Sequence, residues 1–331
     1  MGVVRLTQID GKLPNLALMK LAHWHKSKGD KVMFERSITK GMFEPDYDII
    51  YGSAIFSSSE KKIEQFKHNF PSAIIGGTGS GDMNLKIESL IGCNEYEYEN
   101  YDYTIYPRFE HSIGFTQRGC RLKCSFCVVP KKEGKNIMVN TIHDIWRGGT
   151  EKKIHLLDND FFGQELWRER SLEIIEGDFK VCFNQGINIR LIHKEGAELL
   201  AQMKYYADDF KKRRIYTAWD NRRDEKIFMK GINLILDAGV KPHHIMVYML
   251  CGFWKDETFE DVYYRFKQMV DMGLMPYPMV YGENKELKKF QQWVIRRYYQ
   301  FTEWEQFKNE SEKDYYNRVN KEQTFLNFEK I

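Results

Sequence analysis

Three cysteines, Cys120, Cys124 and Cys127, share the nine-residue stretch GCRLKCSFC with the spacing C-x3-C-x2-C. A thiolate ligand must be deprotonated and aimed inward, and gaps of three and two residues let one loop wrap a single small inorganic cluster. A closed structural zinc site takes four ligands. This loop offers three, and the nearest histidines, His111 and His143, lie nine residues before it and sixteen after it, outside zinc-finger spacing. An iron-sulfur cube held by three thiolates keeps one iron open to a substrate or cofactor. The spacing points to a metal that reacts, with a structural zinc as its rival.

A reactive loop needs a scaffold that holds it over a cavity. From residue 111 the patterns alternate: strand HSIGFTQ, the cysteine loop, helix TIHDIWRG, strand KIHLLDND, helix GQELWRERSLEIIEG, strand KVCFNQGI and helix HKEGAELLAQMK. The series continues with strand RIYTAWD, helix DEKIFMKGINLILDAG, strand HHIMVYMLCG, helix TFEDVYYRFKQMVDMG and strand MPYPMVYG. Six strands separated by helices predict a partial (β/α)6 barrel of TIM type over residues 111–282. Loops at the C-terminal ends of such strands converge on the open end, so the cysteine loop should sit at the mouth.

Ahead of this, residues 1–96 alternate strand VVRLTQI, helix LPNLALMKLAHWHKSKG, strands KVMF and YDIIYGSAIF, helix SSEKKIEQFKHNF and strand SAIIGG. That order predicts a small Rossmann-like parallel α/β domain. The acidic, tyrosine-rich NEYEYENYDYTIYP has no apolar period and reads as a surface linker, placed at 97–110. Residues 283–331 form a helical extension in which NKELKKFQQWVIRRYYQFTEWEQF reads as a helix with an apolar face on the barrel and Lys and Arg in solvent. A nucleic acid contact through that basic face is the alternative.

Composition sets the bounds. Six cysteines in 331 residues are too few for a disulfide-built secreted scaffold, and a tight trio with Cys93, Cys182 and Cys251 scattered suits metal chemistry in a reducing compartment, so the cytoplasm is expected. No stretch approaches the roughly 18 uninterrupted apolar residues of a membrane span, and MGVVRLTQIDGKLPN lacks a signal-peptide pattern. No membrane partner is expected. A net charge of +3 neither demands nor excludes nucleic acid, and 15% aromatic residues suit base stacking and core packing alike.

The cysteine loop, with Phe126 before its last cysteine, resembles the signature loop of radical S-adenosylmethionine (SAM) enzymes. Its position after the first strand of the series resembles that family's partial barrel. The resemblance implies a 4Fe-4S cluster on Cys120, Cys124 and Cys127 whose open iron takes the amino and carboxylate groups of SAM. It also implies a single-electron reductant such as flavodoxin or ferredoxin, and a 5'-deoxyadenosyl radical that abstracts hydrogen from a substrate. Cofactor chemistry does the hard step while the protein positions and shields it.

SAM needs an acceptor for its ammonium, a donor for its carboxylate and partners for its ribose. Asp158, Asn159 and Asp160 end the second strand, where the resemblance places the amino group; a turn with a helix cap is the plainer reading. Asn184, Gln185, Asn188 and Arg190 follow the third strand, and the Arg190 fork matches a carboxylate in two bonds, although a surface ion pair would use it as well. Asp220 and Asn221 end the fourth strand, available for ribose or substrate. Leu250 and Gly252 in YMLCGF match the segment that flanks adenine, and Phe126 would cover it. Cys182 and Cys251 lie on internal strands as hydrogen donors to a substrate radical, with buried structural cysteine the commoner role.

The front domain resembles that of cobalamin-binding radical SAM proteins in DGKLPNLALMKLAHWHKSKGDKVMF and IIGGTGSG. The Asp-x-His-x-x-Gly cobalt-ligand motif is absent and the domain is short by a strand and a helix, so cobalamin and methyl transfer are the disfavoured alternative. The glycine run lacks the Lys-Ser/Thr ending of a phosphate loop. A zinc-containing nucleic-acid-binding protein without catalysis is the rival from another class. The substrate is left open, nucleic acid included.

Overall fold

Strand β1 (Val3–Gln8) is buried at five consecutive positions, the mark of a parallel strand covered on both faces. The computed structural model describes residues 1–82, 85–94, 97–311, 314, 315 and 318. By contacts the chain forms two compact units, Met1–Leu122 with Val128–Leu157, and Lys123–Cys127 with Asp158–Ile331.

In the first unit, helix α1 (Leu16–Ser27) starts where the Asn15 side chain accepts the Leu18 N–H, and it buries Leu18, Met19, Leu21 and Ala22. Then come β2 (Lys31–Glu35), β3 (Ile49–Ser53), α2 (Glu60–Asn69), β4 (Ile74–Gly76) and the short α3 (Ile87–Ile91). The sheet is all parallel in the order β2-β1-β3-β4, with Val4 opposite both Val32 and Ile49. Strand order reverses between β1 and β3, which opens a crevice at their carboxyl ends. This is a parallel α/β arrangement, the coarser part of what residues 1–96 led one to expect.

The acidic tyrosine segment departs from its expected place on the surface. Asp102, Ile105 and Tyr106 are buried. The Tyr106 hydroxyl donates to Gln8 Oε1 at 2.8 Å and accepts the Asn15 N–H at 3.1 Å. Tyrosine supplied apolar rings that a reading by apolar period alone missed.

Strand β5 (Ser112–Gly114) pairs in parallel with β8 (Lys153–Leu156), Ser112 opposite Ile154. Between them lie β6 (Gln117–Arg118), α4 (Val129–Lys132), β7 (Ile137–Met138) and α5 (Ile142–Ile145). HSIGFTQ was expected as one strand, but it breaks after Gly114, and β6 turns to pair antiparallel with β7 at the base of the cysteine loop.

The second unit holds α6 (Trp167–Glu176), β9 (Lys180–Phe183), α7 (Lys194–Gln202), β10 (Lys204–Tyr205), β11 (Ile215–Ala218), α8 (Glu225–Asp237), β12 (Ile245–Cys251), α9 (Phe259–Asp271), β13 (Met275–Val280), α10 (Lys285–Ile295) and α11 (Trp304–Asn309). β9 pairs in parallel with β10, and β11-β12-β13 form a parallel three-stranded sheet. The turn after β9 is held to β11, since Ile187 N–H donates to Tyr216 O at 2.8 Å and Thr217 Oγ1 to Ile187 O at 2.9 Å. All six strands expected of a barrel are strands of parallel sheets. Among the described residues, however, no barrel is identified, and the architecture stands as parallel α/β.

β12 alternates strictly: Ile245, Val247, Met249 and Cys251 are buried while Met246, Tyr248 and Leu250 are half-buried. On β13, Tyr281 N–H donates to Cys251 O, so the even-numbered backbone groups face away from β12. Pro276 and Pro278 fall on that outer side, and Gln291 Nε2 donates to Pro278 O at 2.8 Å.

The C-terminal helix is interrupted where Arg297 takes a left-handed φ of 59°, and the chain restarts as α11. Leu287, Phe290, Trp293 and Val294 of α10 are buried, with Phe259 and Phe266 of α9 packed on Phe290. Lys289 Nζ donates to the carbonyls of Lys308 and Glu310, and Lys308 pairs with Glu286 at 2.8 Å, so part of the basic face serves local capping. Residues 319–331 of the expected extension lie outside the described residues. No helix among the described residues is long and apolar enough to cross a membrane.

Candidate functional site

In the first unit, the base of the cysteine loop is fixed by Glu133. Its carboxylate accepts two bonds from Arg118, at 2.9 and 3.2 Å, and the Gly119 N–H at 2.9 Å. Cys120 N–H donates to Gly134 O at 3.3 Å, and Cys120 Sγ accepts the Leu122 N–H at 3.4 Å.

In the second unit, Cys127 N–H donates to Cys124 O at 3.0 Å, closing a turn that presents Phe126, 40% exposed. Arg190 lies on the turn after β9, and its Nη2 is 3.6 Å from Cys124 Sγ while its Nη1 is 3.4 Å from Asp224 Oδ2. Burial pulls the Arg190 guanidinium down, but the bond to Cys124 and the Asp224 and Asp220 carboxylates outweigh it and hold the group above its ordinary range. The turn sits this close because Gly231 of α8 has no side chain: a Cβ there would be 2.1 Å from Ile189 O.

Asp220 follows β11 and accepts the Leu250 N–H from β12 at 3.1 Å. Burial pushes its carboxyl above the usual range, against that bond and the charges of Arg265 and Arg190. Behind it Arg265, 0% exposed, donates to Trp219 O at 2.6 Å, to Leu250 O at 2.9 Å and to Glu257. Glu257 in turn accepts the Gly252 N–H at 2.6 Å. The Phe126 ring lies edge-on to Phe253 and Trp254, at 5.6 and 6.4 Å, and Trp254 Nε1 donates to Asp220 O at 3.3 Å. Cys124, Phe126, Arg190, Asp220, Leu250 and Gly252 are thereby linked in one network at the carboxyl ends of β9, β11 and β12.

The other candidates are placed as follows. Asp158 and Asp160 are buried, and Asn159 and Asn184 half-buried. Cys182 and Cys251 are completely buried, and burial pushes each thiol up to about 12. Cys251 donates to Met249 O at 3.3 Å on the buried face of β12, opposite the face carrying Leu250. Cys182 lies close to Tyr216 and Tyr248.

Two features escaped the sequence reading. Arg265 and Glu257 form the buried support of the network; the signal was an arginine in the apolar stripe Val262, Arg265, Phe266, Met269. Three tyrosines line neighbouring strands on one sheet face, Tyr216 stacked on Tyr248 at 5.8 Å and 9°, and Tyr277 edge-on to Tyr248 at 5.4 Å. Their alternation with buried residues was legible in β11 and β12, but their lateral register was not.

As a donor set the trio suits a soft metal cluster: Cys120, Cys124 and Cys127 are half-buried thiols. Among the described residues no group of three His, Cys, Asp or Glu side chains is gathered to hold a metal ion. A thiolate site without its metal seldom preforms, because binding energy does the gathering. Comparison of the chain with protein-family models, with curated proteins and with solved structures finds no match.

Proposed function

We propose that the chain is a radical SAM enzyme, with a partial (β/α)6 barrel behind a Rossmann-like front domain and a 4Fe-4S cluster on Cys120, Cys124 and Cys127. One observation carries the reading: the Arg190 guanidinium reaches Cys124 Sγ, in a network that joins Phe126 to the ends of β11 and β12. A cation and an aromatic lid beside a cluster-type cysteine are what a zwitterionic, adenine-bearing cofactor requires. When bound, the cluster and SAM supply a 5'-deoxyadenosyl radical from one electron, delivered by a reductant such as flavodoxin or ferredoxin.

The chain's own residues bind and shield. Arg190 grips the carboxylate, and Asp158, Asn159 or Asp160 the ammonium. Asp220 and Asn221 serve the ribose or substrate, Asn184 is a further polar contact for the cofactor, and Phe126, Leu250 and Gly252 flank the adenine. Arg265 and Glu257 are positioning residues, since they fix the backbone at Trp219, Leu250 and Gly252. Cys182, kept neutral by burial, is the hydrogen donor, whereas Cys251, on the face of β12 opposite Leu250, takes the structural role of a buried cysteine. The half-buried tyrosine face suits a flat substrate, for which rings offer stacking without sequence preference.

The test is anaerobic reconstitution with iron and sulfide, then SAM and dithionite, reading 5'-deoxyadenosine. Production is expected from the parent chain and lost in Cys124→Ala; production intact in that variant overturns the mechanism. Colourless protein with zinc and no iron would establish the rival class, and a bound corrin spectrum with hydroxocobalamin the methyl-transfer alternative.

A further inference from the structure

The first unit contains a cavity of about 160 Å³ that the reading above does not use. It lies at the carboxyl ends of β3 and β4 beside the start of α1, lined by Tyr51, Ser53, Gly76 and Gly77 on the sheet side and by Leu16 and Leu21 on the helix side. Leu85, Ile87 and Leu90 close another wall, and Arg118, Lys132 and Glu133 form its charged end. In open parallel sheets this crevice, beside a reversal of strand order, is where ligands bind. Gly77, in a left-handed conformation with φ of 96°, brings the glycine run against Ala54, where a Cβ would lie 2.2 Å from the carbonyl oxygen.

Lys20, Lys86, Glu88, Arg118, Lys132 and Glu133 line the cavity, and several of these charges are paired. Lys20 pairs with Glu99 at 2.5 Å and with Glu88 at 3.4 Å. Arg118 is bound in two places by Glu133. Lys132, half-buried, donates to Thr78 Oγ1 at 2.7 Å and forms no ion pair among the described residues. Burial lowers its pKa, so an anion beside it would restore what desolvation costs. The remaining walls are largely aliphatic, and a cavity near 150 Å³ accepts a benzene-sized body.

We infer that this cavity binds a small organic anion, an apolar body of about one ring carrying a single carboxylate that pairs with Lys132. The inference stands apart from the iron-sulfur reading, and its test needs no cluster.

Calorimetric titration of the full chain uses benzoate as probe, benzamide as its neutral counterpart and inorganic phosphate as a bare anion. Benzoate is expected to bind about tenfold or more tightly than benzamide, the range of one charged hydrogen bond. Lys132→Met should bring benzoate down to the benzamide level, and Ala17→Trp, at the cavity wall, should abolish both. The ratio on the unaltered chain decides the charge requirement even if a variant fails to fold. Absent benzoate binding, equal affinity for benzamide, or binding untouched by Ala17→Trp overturns the proposal, and so does phosphate binding as tightly as benzoate.

Discussion

Arg190 Nη2 stands 3.6 Å from Cys124 Sγ, a guanidinium beside a thiol that belongs to a ligand-type loop. The relationship joins a turn after β9 to a loop 66 residues earlier in the chain. The guanidinium places a hydrogen-bond donor against the sulfur.

Arg190→Ala removes that donor. In reconstituted protein the same variant should weaken SAM binding about 10- to 100-fold, the loss of a charged hydrogen bond worth roughly 1.5–3 kcal/mol. Arg190→Lys should recover only part, because an ammonium lacks the planar fork. Equilibrium dialysis measures the binding, and an unchanged affinity in Arg190→Ala would remove the residue from the site.

Thiol reactivity should divide the cysteines in two. Cys182 and Cys251, fully buried with thiols pushed up to about 12, should resist iodoacetamide in the folded chain, while Cys120, Cys124 and Cys127 react. Peptide mass spectrometry reads the pattern. Rapid modification of Cys182 would contradict its placement and its proposed role as a neutral hydrogen donor.

Gly231→Ala should destabilise the fold. In most helix interiors alanine is about 1 kcal/mol better than glycine. Here the methyl would press on Ile189 O, so a loss of about 1–3 kcal/mol is expected, the usual cost of overpacking. Chemical denaturation measures it. The Arg190 turn would shift with it, so the reconstituted variant should also bind SAM more weakly.

The order of elements was legible because apolar residues recur at helix and strand periods; β12 alternates as its sequence does. The role of Gly231 was not, since nothing local marks which carbonyl will approach a helix. Tyr106 went unread because its acidic neighbours hid an aromatic anchor that bonds Gln8, far away in sequence. In the candidate site, residue type announced Cys124 and Arg190, whereas the support from Arg265 and Glu257 needed the helix α9 to be laid against β12.

Acid should weaken the fold through His244. Burial foremost, then the charges of His243, Arg213, Lys241 and Arg214, pushes its imidazole down from 6.5 to about 4, beside the Tyr205 hydroxyl at 3.0 Å. Between these values the unfolded chain binds the proton and the folded chain does not. The contribution is thus complete above the ordinary histidine range and lost as pH falls toward about 4. Thermal melts at about pH 7 and about pH 5 should show the lower midpoint in acid, and His244→Gln should narrow the gap. An equal gap in the variant would assign the acid sensitivity to other groups.

Pro276 and Pro278 give the rim of β13 a chemical ending. At two successive outward positions the strand has ring methylenes where hydrogen-bond donors would stand, and a glutamine from α10 already occupies the carbonyl of the second. A stray strand arriving edge-on would find no ladder to join, so this border resists growth into fibrils. The prolines guard the chain against its own copies while leaving the tyrosine face of the sheet uncovered by any added strand.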